Sequence, residues 1–108
     1  MAKVFYAVTA TVPGRDLASE YVGWLEGGHV GDVMASGATS AAVVRLDPTP
    51  DDPDAIRIET QYVFPSRGVF EYYEREHAPA LRESGRSLFA GRGVTFGRRV
   101  GEFALGGR

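Results

Sequence analysis

The feature that most constrains this chain is a repeat at an offset of 48 residues. His29-Val30-Gly31-Asp32-Val33-Met34-Ala35-Ser36-Gly37 aligns with His77-Ala78-Pro79-Ala80-Leu81-Arg82-Glu83-Ser84-Gly85. In both stretches an apolar residue follows the histidine by four, and Ser-Gly follows by seven and eight. Upstream, Trp24 aligns with Tyr72 and Glu26 with Glu74. The offset is close to half of the 108 residues. Two similar halves of this size each have room for one strand–helix–strand unit, and such halves pair across one shared sheet.

The periodicities fill in those halves. Val4, Tyr6, Val8, Ala10 and Val12 alternate with Lys3, Phe5, Ala7, Thr9 and Thr11, which is a strand ended by Pro13-Gly14. Asp16 is the expected cap of a helix whose stripe is Leu17, Tyr21, Trp24 and Leu25. Gly27-Gly28 interrupts that helix, and a short second piece from His29 to Ala35 runs to the stop at Ser36-Gly37. Thr39 to Leu46 reads as a second strand, and Asp47 to Asp54, with three prolines and four aspartates, as a solvated loop. In the third strand, Ala55 to Phe64, the residues Ile56, Ile58, Thr60, Tyr62 and Phe64 face the core, while Arg57, Glu59 and Gln61 face away. Ser66 caps the next helix, with Phe70, Tyr73 and His77 inward. Pro79 forces a break near His77 and a restart, and Ser84-Gly85 is read as the end of that piece. Val94 to Leu105 is the last strand. Gly97 and Gly101 within it imply a bulge or a close backbone approach, and the terminal Gly106-Gly107-Arg108 is expected to fray.

The order βαββαβ, in one domain over residues 1–108, is an α+β ferredoxin-like fold: a four-stranded antiparallel sheet with both helices on one face. The other face is left uncovered. It is expected to carry Phe5, Ala7, Ala41 and Val43 among polar groups, and a second copy's sheet is the simplest cover, so a homodimer is predicted.

Composition excludes several functions. There is no cysteine, which removes disulfides and thiolate chemistry and fits a cytoplasmic location. No apolar run is long enough to span a membrane, and the chain enters its first strand without an apolar leader. The net charge of −2 implies neither nucleic acid nor membrane as partner. Six arginines against two glutamates from Arg82 to Arg108 give a local balance of +4 near Phe89, Phe96 and Phe103. That pattern is read as a solvated arginine face over core aromatics; a nucleic-acid surface would instead require one contiguous basic patch. The outward Arg57, Glu59 and Gln61 lack the aromatics of an RNA-recognition sheet. No phosphate-binding glycine loop, metal-ligand spacing or nucleophile elbow is present, so no cofactor and no metal are expected.

The whole chain resembles a small uncharacterised bacterial family of the dimeric α/β-barrel superfamily. The residues that carry the resemblance are W-L-x-x-x-H-V at Trp24 to Val30, Ser36 to Arg45, T-Q-Y at Thr60 to Tyr62 and E-H-A-P-A-L-R at Glu76 to Arg82, with Phe89 to Arg92 and Arg98 to Val100. Gly27-Gly28 departs from the charged residues expected before the histidine. The resemblance implies a dimeric α/β barrel. The superfamily includes cofactor-independent monooxygenases, isomerases, cyclases and decarboxylases, along with domains of no known activity.

The residue types themselves point to His29 as a candidate general base beside the Gly27-Gly28 break, with Asp32 orienting its ring. The alternative is a histidine that bonds backbone at the break. His77 is the matching candidate in the second half, where a repeated structural bond is the competing reading. Trp24, Tyr6, Tyr62 and Tyr73 lie on inward faces and can wall a cavity for a planar aromatic or polyketide-like ligand; the alternative is an aromatic core with satisfied hydroxyls. The resulting expectation is a cofactor-independent small-molecule-binding protein or enzyme performing proton transfer, isomerisation, cyclisation or oxygenation. Its rival is a non-catalytic dimerisation or regulatory module, which predicts a filled core.

Overall fold

A computed structural model describes residues 2–106. Its elements in chain order are β1 (Val4–Val12), α1 (Arg15–Trp24), a wide π turn (Leu25–His29), α2 (Val30–Ala35), β2 (Ser40–Arg45), β3 (Ile56–Phe64), α3 (Arg67–Glu76), α4 (Ala78–Phe89), a single 3₁₀ turn (Ala90–Arg92) and β4 (Thr95–Glu102). The strands form one antiparallel sheet in the order β2-β3-β1-β4, with the two helical layers α1–α2 and α3–α4 on one face. This is the expected ferredoxin-like α+β fold. Among the described residues no helix is long and apolar enough to cross a membrane.

Each break in the helical layer has a local cause. Gly28, at φ 156° and ψ −30°, leaves helical geometry inside the π turn, a conformation that suits glycine, and the chain restarts as α2 at Val30. His77, at φ −121°, separates α3 from α4, and Pro79 sits in the first turn of α4 where its missing N–H costs nothing. Ser66 caps α3 by accepting from the Val69 N–H at 3.2 Å.

Several details correct the sequence reading. Gly14, not Asp16, holds the cap position of α1; Asp16 lies in the first turn, where a carboxylate favours the helix N-terminus by charge alone. Ser84-Gly85 does not stop a helix, since α4 continues to Phe89. The same dipeptide does stop α2, where Gly37 takes φ 131° and a Cβ there would come within 2.8 Å of Val69. Ala41 and Val43 pair with Tyr62 and Thr60, so they lie on the helix side of the sheet, and it is Ala42 and Val44 that face away. β4 pairs with β1 without a bulge from Thr95 to Glu102, and among the described residues a Cβ at Gly97 or Gly101 would meet nothing within 4 Å. Residues 107 and 108, where terminal fraying was expected, lie outside the described residues.

The core has two parts. Tyr6, Val33, Phe64, Phe70 and Tyr73 are central to one; Tyr21, Leu25, Ile58, Phe89 and Val94 are central to the other. On the opposite face of the sheet Ala7 and Glu59 are buried within the subunit itself. The Glu59 carboxylate, 3% exposed, accepts from Thr9 at 2.8 Å, Gln61 at 2.9 Å and Arg99 at 2.7 Å. Burial pushes its pKa up, but these bonds outweigh burial and hold it below the usual carboxylate range.

Candidate functional site

Where the two core clusters fail to close on each other, they leave an open cavity of about 470 Å³ between β1, β3 and β4 and the helices. That size lies in the range of small-molecule pockets. A module with a filled core would not leave this space. Tyr6, Tyr62 and Tyr73 line it from one cluster, and Tyr21 and Trp24 line it from the other. The sheet supplies its floor because alternation on β1 and β3 turns Tyr6 and Tyr62 toward the helices, where their rings stack at 5.9 Å.

Trp24 and His29 form the helical wall. Their rings stack with centroids 4.1 Å apart and an interplanar angle of 23°. The π turn between them makes this possible: it widens the helix at Gly27-Gly28, and His29 is brought back against the indole. Among the described residues no hydrogen bond engages the His29 ring. Burial lowers its pKa, opposed by the charge of Asp32, so the imidazole is neutral at neutral pH. Burial likewise raises the pKa of Tyr6, against the pull of Arg82, and pushes Tyr21 up to about 12; Tyr62 and Tyr73 are raised further, so all four stay as neutral phenols. The Tyr62 hydroxyl is buried without a hydrogen-bond partner.

The structure brings His29, Trp24, Tyr6, Tyr62 and Tyr73 to one cavity. It does not bring Asp32 or His77 there. Asp32 is exposed, makes no bond to the His29 ring, and acts on it only through its charge. Its backbone carbonyl instead accepts from the Ser36 hydroxyl at 2.7 Å. His77, half-buried between α3 and α4, touches Tyr72 edge-on at 5.7 Å where Trp24 and His29 stack, and Tyr72 is 51% exposed, so this pair lies away from the cavity.

Arg82, Arg98 and Glu74 were not anticipated. Arg82 and Arg98 line the cavity, and both guanidinium groups bond the single carboxylate of Glu74, Arg98 at 2.9 Å. Once α4 is followed through Gly85, the stripe Ala78, Leu81, Arg82, Gly85 and Phe89 places an arginine on a buried helix face, a signal present in the sequence. Of the other described C-terminal arginines, Arg86 borders the cavity too and pairs with Glu83, while Arg92 pairs with Glu20 and Arg99 with Glu59 on the far face of the sheet. The contiguous basic patch required for nucleic acid is thereby divided. Among the described residues no group of three or more histidine, aspartate or glutamate side chains is placed to hold a metal.

The family described as "Domain of unknown function (DUF4286)" matches residues 3–102. No curated protein matches significantly. Among solved structures, a dimeric ferredoxin-like protein from an uncultured marine organism superposes with a TM-score of 0.67 at 16% identity, covering 98% of this chain and 99% of that one. An ethyl tert-butyl ether d (ethd) family protein from Bacillus halodurans gives 0.64 at 15%, covering 95% and 99%. SnoaB, a cofactor-independent oxygenase from Streptomyces nogalater, gives 0.62 at 13%, covering 96% and 95%. At these identities the likeness is one of fold.

Proposed function

The chain belongs to the family described as Domain of unknown function (DUF4286), and from its cavity we propose a cofactor-independent small-molecule-binding protein or enzyme acting on a planar aromatic or polyketide-like compound. The observation that carries this is the open aromatic cavity with His29 stacked on Trp24 at its wall. A flat ring system fits a space walled by tyrosine and tryptophan faces, and a neutral imidazole that makes no protein hydrogen bond is free to take a proton from it. His29 accepts the proton of an acidic C–H or O–H, leaving a carbanion or phenolate held among the tyrosines. Isomerisation, cyclisation and oxygenation of electron-rich aromatics all begin with that step. The fold also serves the cofactor-independent oxygenase SnoaB, which supports the reading by analogy of fold alone. As a working form we propose a cytoplasmic homodimer of a single-domain subunit, the partner's sheet lying over Phe5, Val44 and Val63 and the open backbone at Gly97 and Gly101.

The test is deuterium exchange and oxygen uptake with a panel of phenols, anthrones and naphthols, read by mass spectrometry and an oxygen electrode. Turnover should appear with the parent protein and vanish in His29→Ala, with the circular dichroism spectrum preserved. Undiminished turnover in His29→Ala would remove the base assignment.

A further inference from the structure

The Arg82–Glu74–Arg98 cluster has no part in proton abstraction, yet its two arginines stand, with Arg86, in the wall of a cavity lined mostly by aromatic and aliphatic side chains. Two guanidinium groups carry two positive charges, and one carboxylate answers one of them. The cluster therefore leaves a net charge of +1 beside the aromatic space. Its donors are also in excess, because two arginines present ten N–H groups and Glu74 offers two oxygens. Among the described residues the Arg82 Nε is buried without a hydrogen-bond partner, and the Tyr62 hydroxyl, on a residue 2% exposed, is in the same state. Orphaned buried donors cost stability, and a ligand acceptor relieves that cost. Arg98 also lies over the Tyr6 ring at 6.0 Å, so the charged end adjoins the stacked tyrosines without a gap.

We infer that the ligand of this cavity is an anion: a planar aromatic molecule whose carboxylate or phenolate oxygen docks at Arg82 and Arg98 while its rings lie along Tyr6, Trp24 and His29. The inference rests on the aromatic-ligand reading above and narrows it to one class. It also assigns the orientation, with the oxyanion at the α4–β4 end and the ring edge toward the imidazole. Arg82 and Arg98 are binding residues, and Glu74 is a positioning residue that holds both guanidinium groups and moderates their charge.

Calorimetric titration separates the possibilities with three naphthalene probes of similar size: naphthoate, its neutral methyl ester, and a nitronaphthol that is a phenolate at neutral pH. The anions should bind about tenfold or more tighter than the ester, the usual worth of a charge-assisted hydrogen bond in a desolvated site. Comparing naphthoate with the naphtholate then tells which oxyanion the site prefers. Arg82→Gln and Arg98→Gln should each shrink the anion-to-ester ratio toward one by weakening the anions much more than the ester. Glu74→Gln should tighten both anions, a gain that misfolding cannot produce. Equal binding of ester and anions, or equal weakening of both in the arginine variants, overturns the anion assignment and leaves the aromatic cavity standing. Failure of all three probes to bind removes both.

Discussion

Gly85 lies inside α4, buried, with the edge of Trp24 directly above it: a Cβ added there would sit 3.0 Å from Cη2, 3.6 Å from Cζ3 and 3.7 Å from Cζ2. Gly85→Ala therefore sets two effects against each other. Replacing glycine by alanine inside a helix is worth about 1 kcal/mol. Against that, carbon atoms prefer separations of about 3.5–4.0 Å, so the indole edge must recede by roughly half an ångström. Trp24 borders the open cavity, so it has somewhere to go, and the contact relaxes at small cost. Net stability should stay within about 1 kcal/mol of the parent, a melting shift of less than about 8 °C for a domain of this size. Trp24 is the single tryptophan, so its emission reports the displacement directly. Gly85→Leu drives a larger group into the space and should abolish aromatic-ligand binding at an overpacking cost of about 1–3 kcal/mol. Thermal melts followed by circular dichroism measure both. A loss above about 2 kcal/mol in Gly85→Ala would mean that the indole is wedged in place, and the reasoning from free space beside it would fail.

Other substitutions separate stability from function. Tyr62→Phe removes a buried hydroxyl that has no partner, so the unliganded protein should be unchanged or more stable by about 1 kcal/mol in chemical denaturation, while binding of a hydrogen-bonding ligand weakens; a clear destabilisation would reveal a bond to that hydroxyl. Glu59→Ala removes the shared acceptor of Thr9, Gln61 and Arg99 on the far face of the sheet and should cost about 1–3 kcal/mol, with the cavity unaffected; a loss below about 0.5 kcal/mol would show the network to be energetically idle. The folded-state pKa of His29 lies below the 6.5 of a free histidine, so the unfolded chain binds its proton first as pH falls. The stability contributed by His29 is thus constant above about pH 6.5 and declines from there down to the folded pKa. His29→Gln should flatten that slope in urea titrations at successive pH values, and an unchanged slope would place the titration elsewhere.

Much of this architecture is written in the periodicity. Strict alternation in Val4–Val12 and Ile56–Phe64 turns Tyr6 and Tyr62 inward, and Pro79 and Gly27-Gly28 mark both helical breaks. The repeat also shows in contacts, since in each half the aromatic residue five before the histidine touches its ring, stacked for Trp24 and His29 and edge-on for Tyr72 and His77. What it does not carry is which half faces a cavity, because that depends on packing between halves. The facing of Ala41 and Val43 was misread because β2, SAAVVR, has no polar alternation, and register against β3 is set only by pairing. Ser84-Gly85 reads as a stop by its likeness to Ser36-Gly37, yet its glycine answers to the Trp24 ring across the interface and not to a left-handed backbone. The charge pattern from Arg82 onward reads as a solvated face, and only the full length of α4 shows that Arg82 shares a stripe with the buried Ala78, Gly85 and Phe89.

The central claim is that the space between helices and sheet is a binding site for a planar aromatic molecule. The most direct test is to titrate the protein with aromatic, phenolic and polyketide-like compounds while following Trp24 emission, in the parent and in Gly85→Leu. A saturable change in the parent that disappears when the cavity is filled is the predicted result. An emission spectrum that no compound alters, already that of a fully buried indole, would contradict the claim and favour a non-catalytic dimerisation module.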